Sequence, residues 1–314
     1  MRLIGIEMRR AFARRLTKLV ILVAVAGIIA AGLAVYFHSS RTESHVGPSG
    51  PRVQSFKGEA VSQCVNGGPL PFPSPEETLP AVGTGERTAV CQKLVDQLEF
   101  GGVVDNRFHV IQLADVLQHV SAFAAIIAWL LGATLIGAEW RTGSMATLLT
   151  WESRRTRVMV AKAFAAVLVS FVIVMVLQGL LVGALYPAAR FRGSTAGATH
   201  AFWRSLGYLG LRSGGLAAGA ALIAFAVSSL GRSTAAALGA GFGYLALVEG
   251  ALLGALVPKS RPWLIVRNAV VFITDQRSVD VPGRSPEQAG LLLLGYAVAL
   301  FLIATLVMRQ RDVN

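Results

Sequence analysis

The chain has 314 residues, 54% of them hydrophobic and only 15% charged, and its mean hydropathy is +0.59. Soluble globular domains carry about 25% charged residues. Here charge is missing from long blocks rather than thinned evenly, which excludes an ordinary soluble domain. A net charge of +12 would suit nucleic acid on a soluble face. The basic residues instead flank apolar runs, as at the ends of membrane helices, so no nucleic-acid partner is expected.

Residues 1–18 hold Arg2, Arg9, Arg10, Arg14, Arg15 and Lys18 against one acid, Glu7. Leu3, Ile4, Phe12, Leu16 and Val20 share one broad face, which predicts an amphipathic helix lying on membrane lipid. The apolar run 19–37 follows. It exceeds the signal-peptide core of about 7–15 residues and ends in bulky Val35-Tyr36-Phe37 rather than a small-residue cleavage site. It reads as a first membrane span, with the basic flank holding the N-terminus in the cytoplasm.

Residues 38–113 change character, with Pro, Gly, Ser and Glu dominating, and read as an extracytoplasmic domain. Its two cysteines, Cys64 and Cys91, are the only ones in the chain. On the oxidising side of a membrane such a pair is expected to form a disulfide. No metal-ligand spacing surrounds them and the five histidines are scattered, so no metal site is expected.

Further spans are predicted at 116–137, 158–186, 208–230, 235–257 and 289–308, each near the 20 or so apolar residues that a bilayer requires. A basic connector, 138–157, separates the second and third. The polar stretch 258–288 precedes the sixth, and its apolar part, 262–273, is too short to cross and reads as re-entrant or interfacial. The expected fold is therefore an all-α polytopic membrane protein with six transmembrane helices. Both termini are cytoplasmic, and the extracytoplasmic domain lies between helices 1 and 2. This places Lys259, Arg261, Arg267, Arg277 and Arg284 outside, against the charge rule; the assignment follows the first helix.

Glycines four apart, at Gly215/Gly219, Gly239/Gly243 and Gly250/Gly254, let helix backbones approach closely. On an α-helix Gly239, Gly243, Gly250 and Gly254 share a stripe. It serves packing within the chain or, as a family of two-subunit transporters would imply, lies near a dimer seam or the transport cavity. Ionisable groups inside spans are rare and usually face protein or water. Glu249 is one, with Arg212 as its expected partner, and His119 lies near the outer end of the second span. Glu249, Gly239, Phe242, Gly243 and His119 are the candidate pathway residues.

The connector carries Glu139, Arg141, Gly143-Ser144, Leu148-Leu149, Arg154-Arg155 and then Lys162. This order resembles the permeases of ABC-2 type exporters, in which a Glu, a Gly-Thr, a Leu-Leu pair, an Arg and a Lys follow one another. Ser144 stands for the usual Thr, and Trp151-Glu152 where a proline is common. The resemblance implies that Glu139, Arg141, Gly143, Leu148, Leu149, Arg154, Arg155 and Lys162 form a coupling element against a separate ABC ATPase subunit. It also implies a second permease subunit, identical or different, and a multi-pass location in a bacterial inner membrane. The chain has no G-x-x-x-x-G-K-[ST] loop to cradle phosphate and no recognisable hydrolase motif. It is thus expected to be a non-catalytic transporter subunit without a cofactor of its own, with ATP and Mg bound by the partner. The rival reading is a membrane-anchored sensor or assembly factor that uses 38–113 for recognition.

Overall fold

The computed structural model describes residues 2–39, 44–46, 51–66, 85–97, 102–104, 107–145, 147, 154–274 and 284–310. Two helices, α1 (Arg2–Ala13) and α2 (Arg15–His38), open the chain. A short strand β1 (Ser44–Val46), helices α3 (Pro51–Val65) and α4 (Gly85–Gln97) and strand β2 (Gly102–Val104) follow. The bundle then continues with α5 (Gln112–Arg141), α6 (Arg155–Arg192), α7 (His200–Leu230) and α8 (Thr234–Gly243). A π-helix (Tyr244–Leu256), a 3₁₀ turn (Pro258–Trp263), α9 (Ile265–Thr274) and α10 (Pro286–Gln310) complete it.

Five of these helices, α2, α5, α6, α7 and α10, are long and apolar enough to cross a bilayer, the signature of a helical multi-pass membrane protein. They cover five of the six expected spans and overrun most of their predicted ends. At 38 residues, α6 is about 57 Å long and outreaches a hydrocarbon core of about 30 Å. The fifth expected span, 235–257, is not one α-helix. It is the ten residues of α8 followed by thirteen of π-helix. The apolar part of 258–288 folds as the 3₁₀ turn and α9, and α9 is too short to cross, as expected.

Helix starts follow local chemistry. Thr199 and Ser233 accept the amides of Phe202 and Ala236 and so cap α7 and α8. At α10, Ser285 Oγ accepts the Gln288 amide while Gln288 Oε1 accepts the Ser285 amide, a reciprocal capping box with Pro286 at the first helical position.

The bundle has a distal end, which carries the α3–α4 domain, and a proximal end, which carries both termini. Its tightest seam joins α5 to α7. Ala124, Ala128 and Gly132 recur every fourth residue on α5 and meet Ala217 and Ala221 on α7. A β-carbon on Gly132 would strike the Ala221 backbone. Small residues at this spacing let the two backbones touch. Larger side chains close both ends: Leu113, Leu117, Leu185 and Leu209 distally, and Ile136, Met145, Met159, Phe225 and Met308 proximally.

In the distal domain β1 and β2 pair antiparallel, Ser44 opposite Val104 and Val46 opposite Gly102, so entering and leaving chains share one stem. Cys64 and Cys91 form the disulfide that joins α3 to α4, and Arg87 Nε donates to the Cys64 carbonyl. The root of the domain is tied to the bundle. Ser39 Oγ donates to the Arg192 carbonyl and accepts the Phe108 amide, Arg192 donates to the Tyr36 carbonyl, and the backbones of Phe108, Val110 and Ser194 bond across. Gly193 is needed there because a β-carbon would collide with the Phe108 carbonyl.

The bridge spans 27 residues, a loop whose closure stabilises by about 3–4 kcal/mol. Cys64→Ser should therefore speed protease cleavage between α2 and α5 while leaving the rest of the bundle protected. Equal cleavage with and without the bridge would show that the domain does not depend on it.

Candidate functional site

The proximal ends of α1, α5 and α6 meet at a charged node. Between α1 and α2 the chain is interrupted at Arg14, whose backbone is extended (ψ 135). This turn lets α1 lie against the bundle. Its inward face is not the predicted apolar one: Glu7 and Ala11, four apart, are buried, whereas Phe12 and Leu16 are exposed and available to lipid. Met8 and Ala11 pack against Leu131, Val169 and Ile173.

Lys162, only 4% exposed, projects from the first turns of α6 between two carboxylates. Its Nζ donates to Glu7 Oε1 at 3.0 Å and lies 2.8 Å from Glu139 Oε2. The other oxygen of Glu139 accepts from Arg14 Nη2 at 3.0 Å. Arg14 also donates to the carbonyls of Thr134, 2.6 Å, and Leu135, 2.9 Å, on α5. Those carbonyls keep a second lone pair beyond their helical bond. Buried Glu7 and half-buried Glu139 are thus balanced by two cations, with exposed Arg10 3.6 Å from Glu7 at the rim. Of the residues expected in the coupling element, Glu139 and Lys162 come together here. Glu7 and Arg14 were not expected. Their only signals are that Glu7 is the lone acid among six bases and that Arg14 precedes the first span.

The remaining connector residues spread along the proximal surface. Arg141 is exposed in the last turn of α5, and Gly143 has φ +70 with open space where a β-carbon would sit. This is the left-handed stop that ends many helices. Arg154 is exposed, and Arg155 reaches the Met308 carbonyl at 3.5 Å near the end of α10. Leu148 and Leu149 lie outside the described residues. On the far side of Glu139, Trp140 lies under the Arg232 guanidinium, 5.1 Å from ring centroid to Cζ. Arg232 belongs to the α7–α8 turn. Gly137 admits that turn, since a β-carbon would collide with Ser228 and Thr234.

The candidate pathway residues do not converge. Glu249 sits in the π-helix, and its Oε1 accepts the Arg267 amide at 3.1 Å. Nearby, the Tyr244 hydroxyl oxygen accepts the Ile265 amide at 3.0 Å. Together they cap the otherwise unpaired amides in the first turn of α9. The expected partner of Glu249, Arg212, is ion-paired with Glu287 at 3.8 Å. Gly239 and Gly243 have open space beside them and Phe242 is exposed, while Gly241 is the glycine that packs, against Trp129. The stripe that was to include Gly250 and Gly254 is broken, because the change to π-helix after Gly243 alters the residues per turn. His119 is exposed on α5, its Nδ1 2.7 Å from the Asp115 carbonyl. Among the described residues no three His, Cys, Asp or Glu side chains are grouped to hold a metal.

No family model matches this chain, and no curated protein matches it.

Removing Lys162 leaves two carboxylates facing each other in a buried site, and breaking such a pair costs about 3–5 kcal/mol. Lys162→Met should lower thermal stability by that order, and Glu7→Gln with Glu139→Gln in the same chain should recover part of the loss. An additive triple mutant would show that the node does not act as a unit. At the distal end, Glu249→Gln keeps an acceptor for Arg267 and should change stability little. Glu249→Ala should cost about 1 kcal/mol, as loss of a helix cap does; a larger loss from Gln than from Ala would show that the carboxylate is needed for something else.

Proposed function

We propose that the chain is the permease subunit of an ATP-driven exporter of the ABC-2 type, moving a substrate outward by alternating access. The observation that carries this reading is the node. Glu139 and Lys162 stand at the two ends of the connector, and Arg14 and Glu7 bind them to the amphipathic α1. A push on the connector or on α1 is then felt at once by α2, α5 and α6. Through Trp140 and Arg232 it also reaches the turn between α7 and α8. A coupling element driven from outside the chain requires such stiffness.

In this reading the chain crosses the membrane six times, with α8 and the π-helix together forming the broken fifth crossing. Both termini and the node face the cytoplasm, and the disulfide domain lies outside a bacterial inner membrane. ATP and Mg are bound by a separate ABC ATPase subunit, and this chain is non-catalytic. A second permease copy is favoured by glycines beside which none of the described residues packs. Gly215, Gly219, Gly239 and Gly243 all have open space where a β-carbon would be.

Mild extraction of the full chain from its native membranes tests the assignment. A P-loop ATPase should copurify in stoichiometric amount, and Lys162→Gln should weaken ATPase stimulation more than assembly. Recovery of active chain without any such ATPase would overturn the exporter reading.

A further inference from the structure

At the distal end a crevice of about 220 Å³ opens between α5, α7 and the end of α9. Its floor is apolar, formed by Ala114, Leu206, Leu209 and Ile273. Its walls carry Gln118, Tyr208 and Arg212, three side chains that donate hydrogen bonds. The hydroxyls of Ser205 and Thr274, also in the wall, give their protons to their own helices, to the Phe202 and Val270 carbonyls. Of the polar groups around the opening, Arg212 alone carries a full positive charge.

Arg212 lies three turns into α7, beyond the first apolar residues of a membrane-spanning helix, where cations are rare. Its ion pair with Glu287 is long, 3.8 Å, and that carboxylate is 73% exposed, so this pair is weak. The mouth is bordered by exposed Tyr208 and Leu211, which suits acyl chains rather than water. The polar wall also continues inward. One turn deeper, Ser121 on α5 and Ser213 on α7 are buried and both bond to Gln178 Nε2 on α6. Gln178 is 4% exposed, and among the described residues its Oε1 has no hydrogen-bond partner.

We propose that this crevice binds the phosphate headgroup of an anionic membrane amphiphile. Arg212 supplies the charge, Gln118 and Tyr208 orient the oxygens, and the chains lie against the apolar lip. Glu287 is a built-in competitor for the same guanidinium. This site does not depend on the exporter reading, because every residue in it belongs to the fold itself.

Thermal unfolding of the full chain in detergent, titrated with phosphatidylglycerol, phosphatidylcholine or inorganic phosphate, tests the proposal. Phosphatidylglycerol should raise the midpoint saturably, whereas phosphatidylcholine and inorganic phosphate should not. Arg212→Gln should weaken the apparent affinity about tenfold, the usual effect of losing a charged hydrogen bond. Glu287→Gln should tighten it by about twofold to threefold, as release of an exposed ion pair would. An equal shift with phosphatidylcholine, or a full shift with inorganic phosphate alone, would overturn the lipid assignment. So would an Arg212→Gln chain that responds like the wild type. Should that variant fail to fold, Gln118→Leu, expected to weaken binding, and Glu287→Gln decide the matter. A merely structural Arg212–Glu287 pair predicts that Glu287→Gln lowers stability without tightening lipid binding.

Discussion

A lysine ammonium taken out of water loses hydration worth several kcal/mol, and only close counter-charge with good geometry restores it. Lys162 is placed under that constraint by the first turns of α6, where one face must pack against α1 and α5. Two carboxylates on two different helices meet it, and a second cation, Arg14, satisfies the remaining oxygen of Glu139. The arrangement balances only when α1, the break at Arg14, the end of α5 and the start of α6 are all in register. Hydrophobic packing between lipid-exposed helices cannot impose that register, because lipid tails are as apolar as the side chains. The node can, since a shift of one turn at any member strands a charge.

The helix seam beside the node obeys a different rule. Between α5 and α7 the backbones approach until a single β-carbon at Gly132 would not fit, and dispersion contacts replace ion pairs as the specifying force. The two devices act on the same helix. α5 is fixed along its middle by Ala124, Ala128 and Gly132, and at its proximal end by Glu139 and Trp140.

Much of this was legible because bilayers make few demands and make them strictly. Apolar length located α2, α5, α6, α7 and α10, and two cysteines in one polar stretch sufficed for the disulfide. The expected fifth span differs for a physical reason. Composition along 235–257 is apolar but for Glu249, and nothing in it marks where an α-helix passes into a π-helix. The capping of α9 by Tyr244 and Glu249 is a contact across about twenty residues, which no local pattern encodes. The same holds for the node. Glu139 and Lys162 stand out within one connector, but Glu7 meets Lys162 across a separation of 155. Gly215 and Gly219 have the spacing for close packing and still face open space. Spacing reports that a backbone can be approached, not from which side.

The helix with least burial, α2, is held along one side and at both ends. Along α2 the buried residues are Thr17 and Gly32, and most large side chains point outward. Its partner is α6. At the proximal end Arg14 binds the node that contains Lys162 of α6. Toward the distal end Gly32 touches Ala184, and the Tyr36 carbonyl and ring both meet Arg192. Ser39 then joins Arg192 to Phe108, where the stem of the distal domain returns. Between these ends α2 and α6 also pack along one side: Ile21 joins the cluster of Val169 and Ile173, and Ile28 and Val35 join that of Leu181 and Leu185. Lys162 and Arg192 thus lie about 45 Å apart along one continuous α-helix. The segments that lead into and out of the disulfide domain meet at Arg192.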